Sequence, residues 1–336
     1  MVAKLPERPN LDQLRRQAKE LRDATAVGDP QASKRLARYG AQPTLAAAQL
    51  AIARKYGFAS WTRLNVEVRR KRLIEAGDAA GLRELLAAHP EIAADQVSSR
   101  LSGKSSSVLD YVAVARFHGA LDRDAAGELT TVLLAAGVRP DGQQGSGDTP
   151  LITAASYGET AMVRALLAAG ANIEALGASI PGGGTALAHA VHYGMPAIVD
   201  VLIAAGARMH GIVEHAGVGR IPGDLLATSS PAERAAALRA ATVCERLPVI
   251  DQLIDAGIDV NATVDGGSCL HWAAWQAKAA SIEHLLARGA DPALRDDEHD
   301  MTPAQWYLYR RDELAAIDNP DCHRDSDRIS RALALA

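Results

Sequence analysis

Aromatic side chains are scarce in this chain, at 4% of its 336 residues, with two phenylalanines and four tryptophans. With 48% hydrophobic residues it can still bury a large core, but one assembled from small, helix-packing side chains, chiefly Ala and Leu. Cysteine is scarcer: Cys244, Cys269 and Cys322 form an odd number in no metal-ligand spacing, so neither a disulfide framework nor a bound metal is expected, and no cofactor is called for. No apolar run approaches the length a bilayer demands, and the first residues, Met1 to Pro6, do not read as a secretory leader. A soluble, cytoplasmic protein with no membrane association is the expectation.

What is present is a recurring unit, and its clearest copy runs from Thr149 to Asn172. Thr149 is a good helix N-cap, and Pro150 stands where its missing N–H costs nothing. Gly158 closes a first short helix; Gly170 closes a second that carries Val163, Leu166 and Leu167 on one side. The pattern returns as Thr185, Leu187, Ala190, Gly194, Leu202-Ile203 and Gly206. It is degenerate at Leu238, Ala241, Leu253-Ile254 and Gly257, and sharp at Ser268-Cys269-Leu270-His271, Ala273-Ala274, Leu285-Leu286 and Gly289. Thr302-Pro303 opens a last, incomplete copy. Weaker copies lie upstream around Leu109, Leu133-Leu134 and Gly137, and around Gly77 and Leu85-Leu86.

This pattern resembles the ankyrin repeat, a turn plus two antiparallel helices of about 33 residues that buries its apolar face only by stacking on neighbours. The resemblance implies an all-α ankyrin-repeat solenoid with β-turn fingers, six or seven units between residues 71 and 336. It also implies a protein partner, gripped by the concave groove. Residues 1–70 do not follow the repeat. Leu11, Leu14, Ala18 and Leu21 predict one helix, Asp29-Pro30 starts a second through Leu36, Leu45 to Tyr56 forms a third stopped by Gly57, and another begins at Thr62. The stretch from Leu45 to Trp61 is similar to an N-terminal helical module that accompanies ankyrin repeats in some bacterial proteins, and Tyr56, Phe58 and Trp61 are suited to cover the exposed side of a first repeat.

Charge divides the chain. Up to Arg72 there are sixteen Lys/Arg against six Asp/Glu, whereas the remainder has twenty against thirty-four. Arg15, Arg16, Lys19 and Arg22 read as solvated faces of short helices. A nucleic-acid surface is not expected, since no aromatics alternate with the basic residues and no binding motif is present. Gly103-Lys104-Ser105 lacks the earlier glycine of a phosphate loop, and Gly182-Gly183-Gly184 is the turn a repeat requires at that point.

Carried over from the family residue by residue, the groove positions are Ser156 and Tyr157, His192 and Tyr193, Val243 and Cys244, Trp275 and Gln276, then Tyr309 and Arg310. Thr153, His189, Ala240, Trp272 and Trp306 fall three residues earlier on the same helical faces. Three of the four tryptophans therefore fall in two adjacent units. Trp272 and Trp306 suit either core or groove; Trp275 occupies a position that ordinarily faces solvent. His271 matches the position of a turn-bracing histidine.

Residues 207–236 break the period. The insertion carries His210, Glu214 and His215, and it either lids the groove or leaves it open. Two functions follow. In the first, the groove recognises a protein. In the second, a His/Trp/Tyr-lined pocket under the insertion binds a small apolar molecule, with His189 and His192 as acid and base. Asp296 to Asp300 reads as a solvated finger, and residues 318–331 as a breaker followed by a short closing helix.

Overall fold

The computed structural model describes residues 5–6, 9–40, 42–93, 97–98, 105–117, 121, 123–142, 147–317, 319 and 325–334. Gly103, Lys104, Gly145 and Cys322 lie outside these residues. The described chain is helical apart from four two-residue strands. Two compact units are present, Met1–Val112 with Val132–Val138, and Ala113–Thr131 with Arg139–Ala336.

The first unit opens with α1 (Leu11–Ala26), α2 (Pro30–Leu36) and α3 (Leu45–Lys55), each begun by the side chain the sequence offers. Asn10 accepts the N–H groups of Asp12 and Gln13, Asp29 that of Ala32, and Thr44 that of Ala47. Leu14, Ala18 and Leu21 of α1 bury against Leu36, Ala48, Ala51 and Ile52, and Tyr56, Phe58 and Trp61 pack half-buried against this same cluster. Next come α4 (Trp61–Glu75) and α5 (Ala79–Ala88), and α4 runs unbroken across residue 70. It buries two cations. Arg70 pairs with Glu67 at 2.7 Å and donates to the Ile92 carbonyl at 2.5 Å, while Lys71 lies 5.2 Å from the centre of the Tyr111 ring. On the outside of α1, Arg15, Arg16 and Arg22 are exposed and paired with Asp12, Glu20 and Asp23. Strands β1 (Val97–Ser98) and β2 (Ser105–Ser106) pair antiparallel ahead of α6 (Val108–Phe117) and α7 (Arg123–Ala135).

In the second unit the repeat is plain. The inner and outer helices are α8 (Pro150–Ser156) with α9 (Thr160–Ala168), and α10 (Ala186–His192) with α11 (Pro196–Ala204). Thr149 and Thr185 accept N–H groups of the first helical turns, as their positions before the helices predict. The insertion then forms α12 (Ile212–Val218) and α13 (Gly223–Thr228), followed by α14 (Pro231–Val243) and α15 (Leu247–Asp255). The hairpin of β3 (Thr263–Val264) and β4 (Gly267–Ser268) leads to α16 (Cys269–Trp275) and α17 (Ala279–Ala287); α18 (Pro303–Ala316) and α19 (Ser326–Ala332) complete the last unit. The expected closing helix is α19, which packs on α17 and pairs Arg328 with Glu283 at 2.6 and 2.7 Å.

The first helix of the insertion packs into the stack. Helix α12 packs against α10, α11 and α14, with Ile212 and Ala216 buried. Its start is pinned by Glu214, which accepts the N–H groups of His210 and Gly211, while the His210 ring meets Glu174 at 3.2 Å. The backbone of Gly217 passes so close to α10 that a Cβ there would sit 2.6 Å from a Val191 methyl. Gly217→Ala should therefore destabilise the protein in urea denaturation. Alanine in a helix otherwise gains about 0.8–1 kcal/mol over glycine, and a gain of that size would contradict the packing. Leu285→Ala, which empties a fully buried site, should cost about 2–5 kcal/mol in the same assay.

Candidate functional site

The inner helices α8, α10, α16 and α18 present the predicted groove residues, but not evenly. At the α8 end, Ser156 Oγ donates to the Ile152 carbonyl at 2.9 Å and lies 3.2 Å from His189 Nδ1. With its one proton spent on Ile152, Ser156 accepts from His189, and the imidazole carries its proton on Nδ1. His189 Nε2 is buried without a partner, and the residue is fully buried rather than facing solvent. Tyr157 meets the Phe117 ring at 4.8 Å, and Thr153 is half-buried beside them.

In the middle, α14 departs from the expected register. Ala240, Val243 and Cys244 are buried, because α12 packs on α14 and Cys244 Sγ faces the Val191 carbonyl at 3.8 Å. Arg239 takes their place. Its Nη2 donates to His192 Nδ1 at 3.1 Å and its guanidinium lies 5.1 Å from the centre of the Trp272 ring. Composition gave no hint of this residue. Its one signal was positional: Arg239 sits four residues before the end of α14, where α16 of the next unit has His271.

Beyond it, Gln276 donates to the His192 carbonyl at 3.4 Å and Lys278 Nζ to the Gly194 carbonyl at 2.6 Å, so α10 and the α16–α17 turn meet across an intervening unit. Gly194 makes this possible. It adopts φ +62°, and a Cβ would fall 2.6 Å from the Val243 carbonyl oxygen. Tyr193 stands edge-on to His192 at 4.9 Å.

The far end is aromatic. Trp272 Nε1 donates to Val264 O at 2.8 Å, and Trp306 Nε1 to Asp296 Oδ2 at 2.9 Å, so both indoles are tied into the fingers while their rings meet edge to face at 5.3 Å. Trp275 instead stacks on Tyr309, 6.2 Å apart and 18° from parallel, with the Arg310 guanidinium 5.0 Å from its ring centre. Tyr309 is 58% exposed. His271 braces the turns as expected: Ser268 N–H donates to its Nδ1 at 3.2 Å, and Nε2 reaches the Met301 carbonyl at 3.0 Å. The finger after α17 differs from expectation at Asp296, which is buried rather than solvated. Burial opposes its charge, but N–H groups of His299, Met301 and Glu298 and the Trp306 indole outweigh it and hold the carboxyl well below the usual range.

The electrostatics do not favour acid/base chemistry. Burial lowers the pKa of His189 against the opposing pull of Asp148, and burial followed by the Arg239 charge lowers His192 to about 4. Both imidazoles are neutral at pH 7, leaving no acid of the pair. His210 and Glu214 are engaged with Glu174 and their own loop, and among the described residues no group of three His, Cys, Asp or Glu is placed to hold a metal. Cys244 and Cys269 are packed thiols: burial raises Cys244 to about 11 and Cys269 to about 12.

These elements define a stack of helix-turn-helix units with short fingers. Residues 117–211 match the family model for ankyrin repeats, in three copies, and residues 265–297 match the model for a single ankyrin repeat. The chain carries ankyrin repeats over these two stretches. Among solved structures it is similar to the human ASB11 ankyrin repeat domain, at 18% identity and TM-score 0.37 over 74% of this chain and 97% of that one. It is also similar to the ankyrin repeat domain of Bcl-3, titled a unique member of the IkappaB protein family, at 21% identity and TM-score 0.34 over 72% and 92%. No curated protein matches the sequence significantly. No helix of the described residues is long and apolar enough to cross a membrane.

Because the native imidazole of His192 takes up its proton far below the unfolded value near 6.5, the unfolded chain binds more protons between those limits. The stability this contributes is complete above about pH 6.5 and is lost as pH falls toward 4. Ring-resolved NMR titration should place the His192 midpoint near 4, and Arg239→Gln should raise it; an unchanged midpoint would remove Arg239 as a cause.

Proposed function

We propose that this protein is a cytoplasmic, non-catalytic recognition module whose inner-helix face binds a segment of another protein. The observation that carries the reading is the stacked pair of Trp275 and Tyr309 with Arg310 over the indole. Trp, Tyr and Arg are the residue types that most often anchor protein interfaces, because each offers a large rigid surface together with a polar handle. Trp272 and Trp306 support the pair from beneath, their N–H groups already satisfied by Val264 and Asp296. Thr153, Ser156, Tyr157, His192, Tyr193 and Gln276 shape the remainder of the face, with His189 buried behind them. Residues 1–70 serve as a helical cap for the first repeat, with the repeats filling 71–336. The alternative, an apolar small molecule transformed by His189 and His192, draws no support from two neutral, hydrogen-bonded imidazoles.

Affinity capture from lysate with the full chain, compared with Trp275→Ala and Tyr309→Ala, tests the reading. Each substitution should reduce recovery of the captured protein about tenfold or more while moving Tm by less than about 2 °C. Undiminished capture by both variants would contradict it, and a large fall in Tm would reassign the pair to the core.

A further inference from the structure

Arg239 is a buried cation whose charge the protein does not fully answer. The residue is 5% exposed, and its Nε and Nη1 are buried with no hydrogen-bond partner. Its carboxylate neighbour is Asp265, at 3.7 Å from Nε, beyond hydrogen-bond reach and with its side chain 51% exposed. Asp265 sits at the tip of the β3–β4 hairpin with φ +51°. The other contacts of the guanidinium are a neutral imidazole and an indole face, neither of which carries negative charge. A guanidinium held in this way is strongly disfavoured unless its remaining donors are satisfied, and a carboxylate is the acceptor that satisfies both its charge and its geometry.

We propose that Arg239 receives an Asp or Glu side chain of the protein segment bound on the inner-helix face, with Asp265 standing in for that carboxylate in the free protein. The inference rests on the protein-recognition reading given above and specifies the partner: a segment with an acidic residue beside aromatic or aliphatic ones. The incoming carboxylate reaches the guanidinium from the side that the half-exposed Asp265 occupies, and displaces Asp265 from its long contact. The apolar residues of the segment lie along Trp272 and toward Trp275, whose ring Arg310, paired with Glu313 at 2.6 Å, covers on one side. The chain after Arg72 carries twenty Lys/Arg against thirty-four Asp/Glu, so an acidic segment gains at Arg239 and little elsewhere.

The test is selection of a random peptide library, displayed on phage, against the full-length chain, followed by affinity measurement of the selected peptides. The expected peptides carry Glu or Asp at a fixed offset from an aromatic or aliphatic residue. Replacing that Glu by Gln should weaken binding about tenfold or more. Arg239→Gln should weaken it by a similar factor, and the two changes together should cost little more than either alone. Asp265→Asn should tighten binding severalfold, since it removes the internal competitor while tolerating the left-handed backbone. Should Arg239→Gln not fold, judged by its Tm, Arg239→Lys and Asp265→Asn carry the test: the first should weaken and the second strengthen binding. Peptides that bind through Trp275 but are indifferent to Arg239, Asp265 and their own acidic residue would overturn this inference and leave the recognition reading intact. Peptides indifferent to Trp275, or no binding peptides, would overturn both.

Discussion

The close approach at Gly194 is the constraint on which the second unit's central face depends. Nothing larger than hydrogen fits between its Cα and the Val243 carbonyl, and the positive φ there suits no other residue so well. Through this contact the turn after α10 reaches both α14 and the turn after α16, and Lys278 and Gln276 seal it with hydrogen bonds to the backbone of α10. As a consequence, His192, Arg239 and Trp272, from three different helices, are gathered into one cluster. Gly217 lets α12 of the insertion lie close against Val191 of the same helix α10.

Polar groups in the cluster divide by what holds them. His271, Asp296 and the indole N–H groups of Trp272 and Trp306 are satisfied within the fingers and hold the repeats in register. Arg239 and Trp275 are positioned by the fold but are not completed by it. In a protein interior nearly every buried donor finds an acceptor; Arg239 Nε and Nη1 do not, nor do His189 Nε2 and Thr242 Oγ1, and of these only Arg239 carries a charge.

Most of the fold was legible because each repeat writes its own punctuation. Thr149, Thr185 and Thr302 before helices, Gly158 and Gly194 after them, and paired leucines between are local signals that depend on no distant contact. The helices of the N-terminal module were equally readable, since Asn10, Asp29, Thr44 and Gly57 mark their ends. The neighbourhood of Trp275 and Tyr309 on successive inner helices was legible from the repeat register, and their rings stack. The site was not legible at α14, because the rotation that buries Val243 and turns the guanidinium of Arg239 to His192 comes from packing against α12, a helix of the insertion that local pattern cannot orient. The buried state of Asp296 was hidden for a related reason: four donors from backbone and indole converge on it only once the finger is folded.

Amide hydrogen exchange of the full chain, alone and with its captured protein partner, measures the central claim directly. The account predicts added protection concentrated at the β3–β4 hairpin, the C-terminal turns of α10 and α16, and the stretch of α18 around Tyr309. Protection confined to the outer helices α9, α11, α15 and α17, with these segments unchanged, would contradict it.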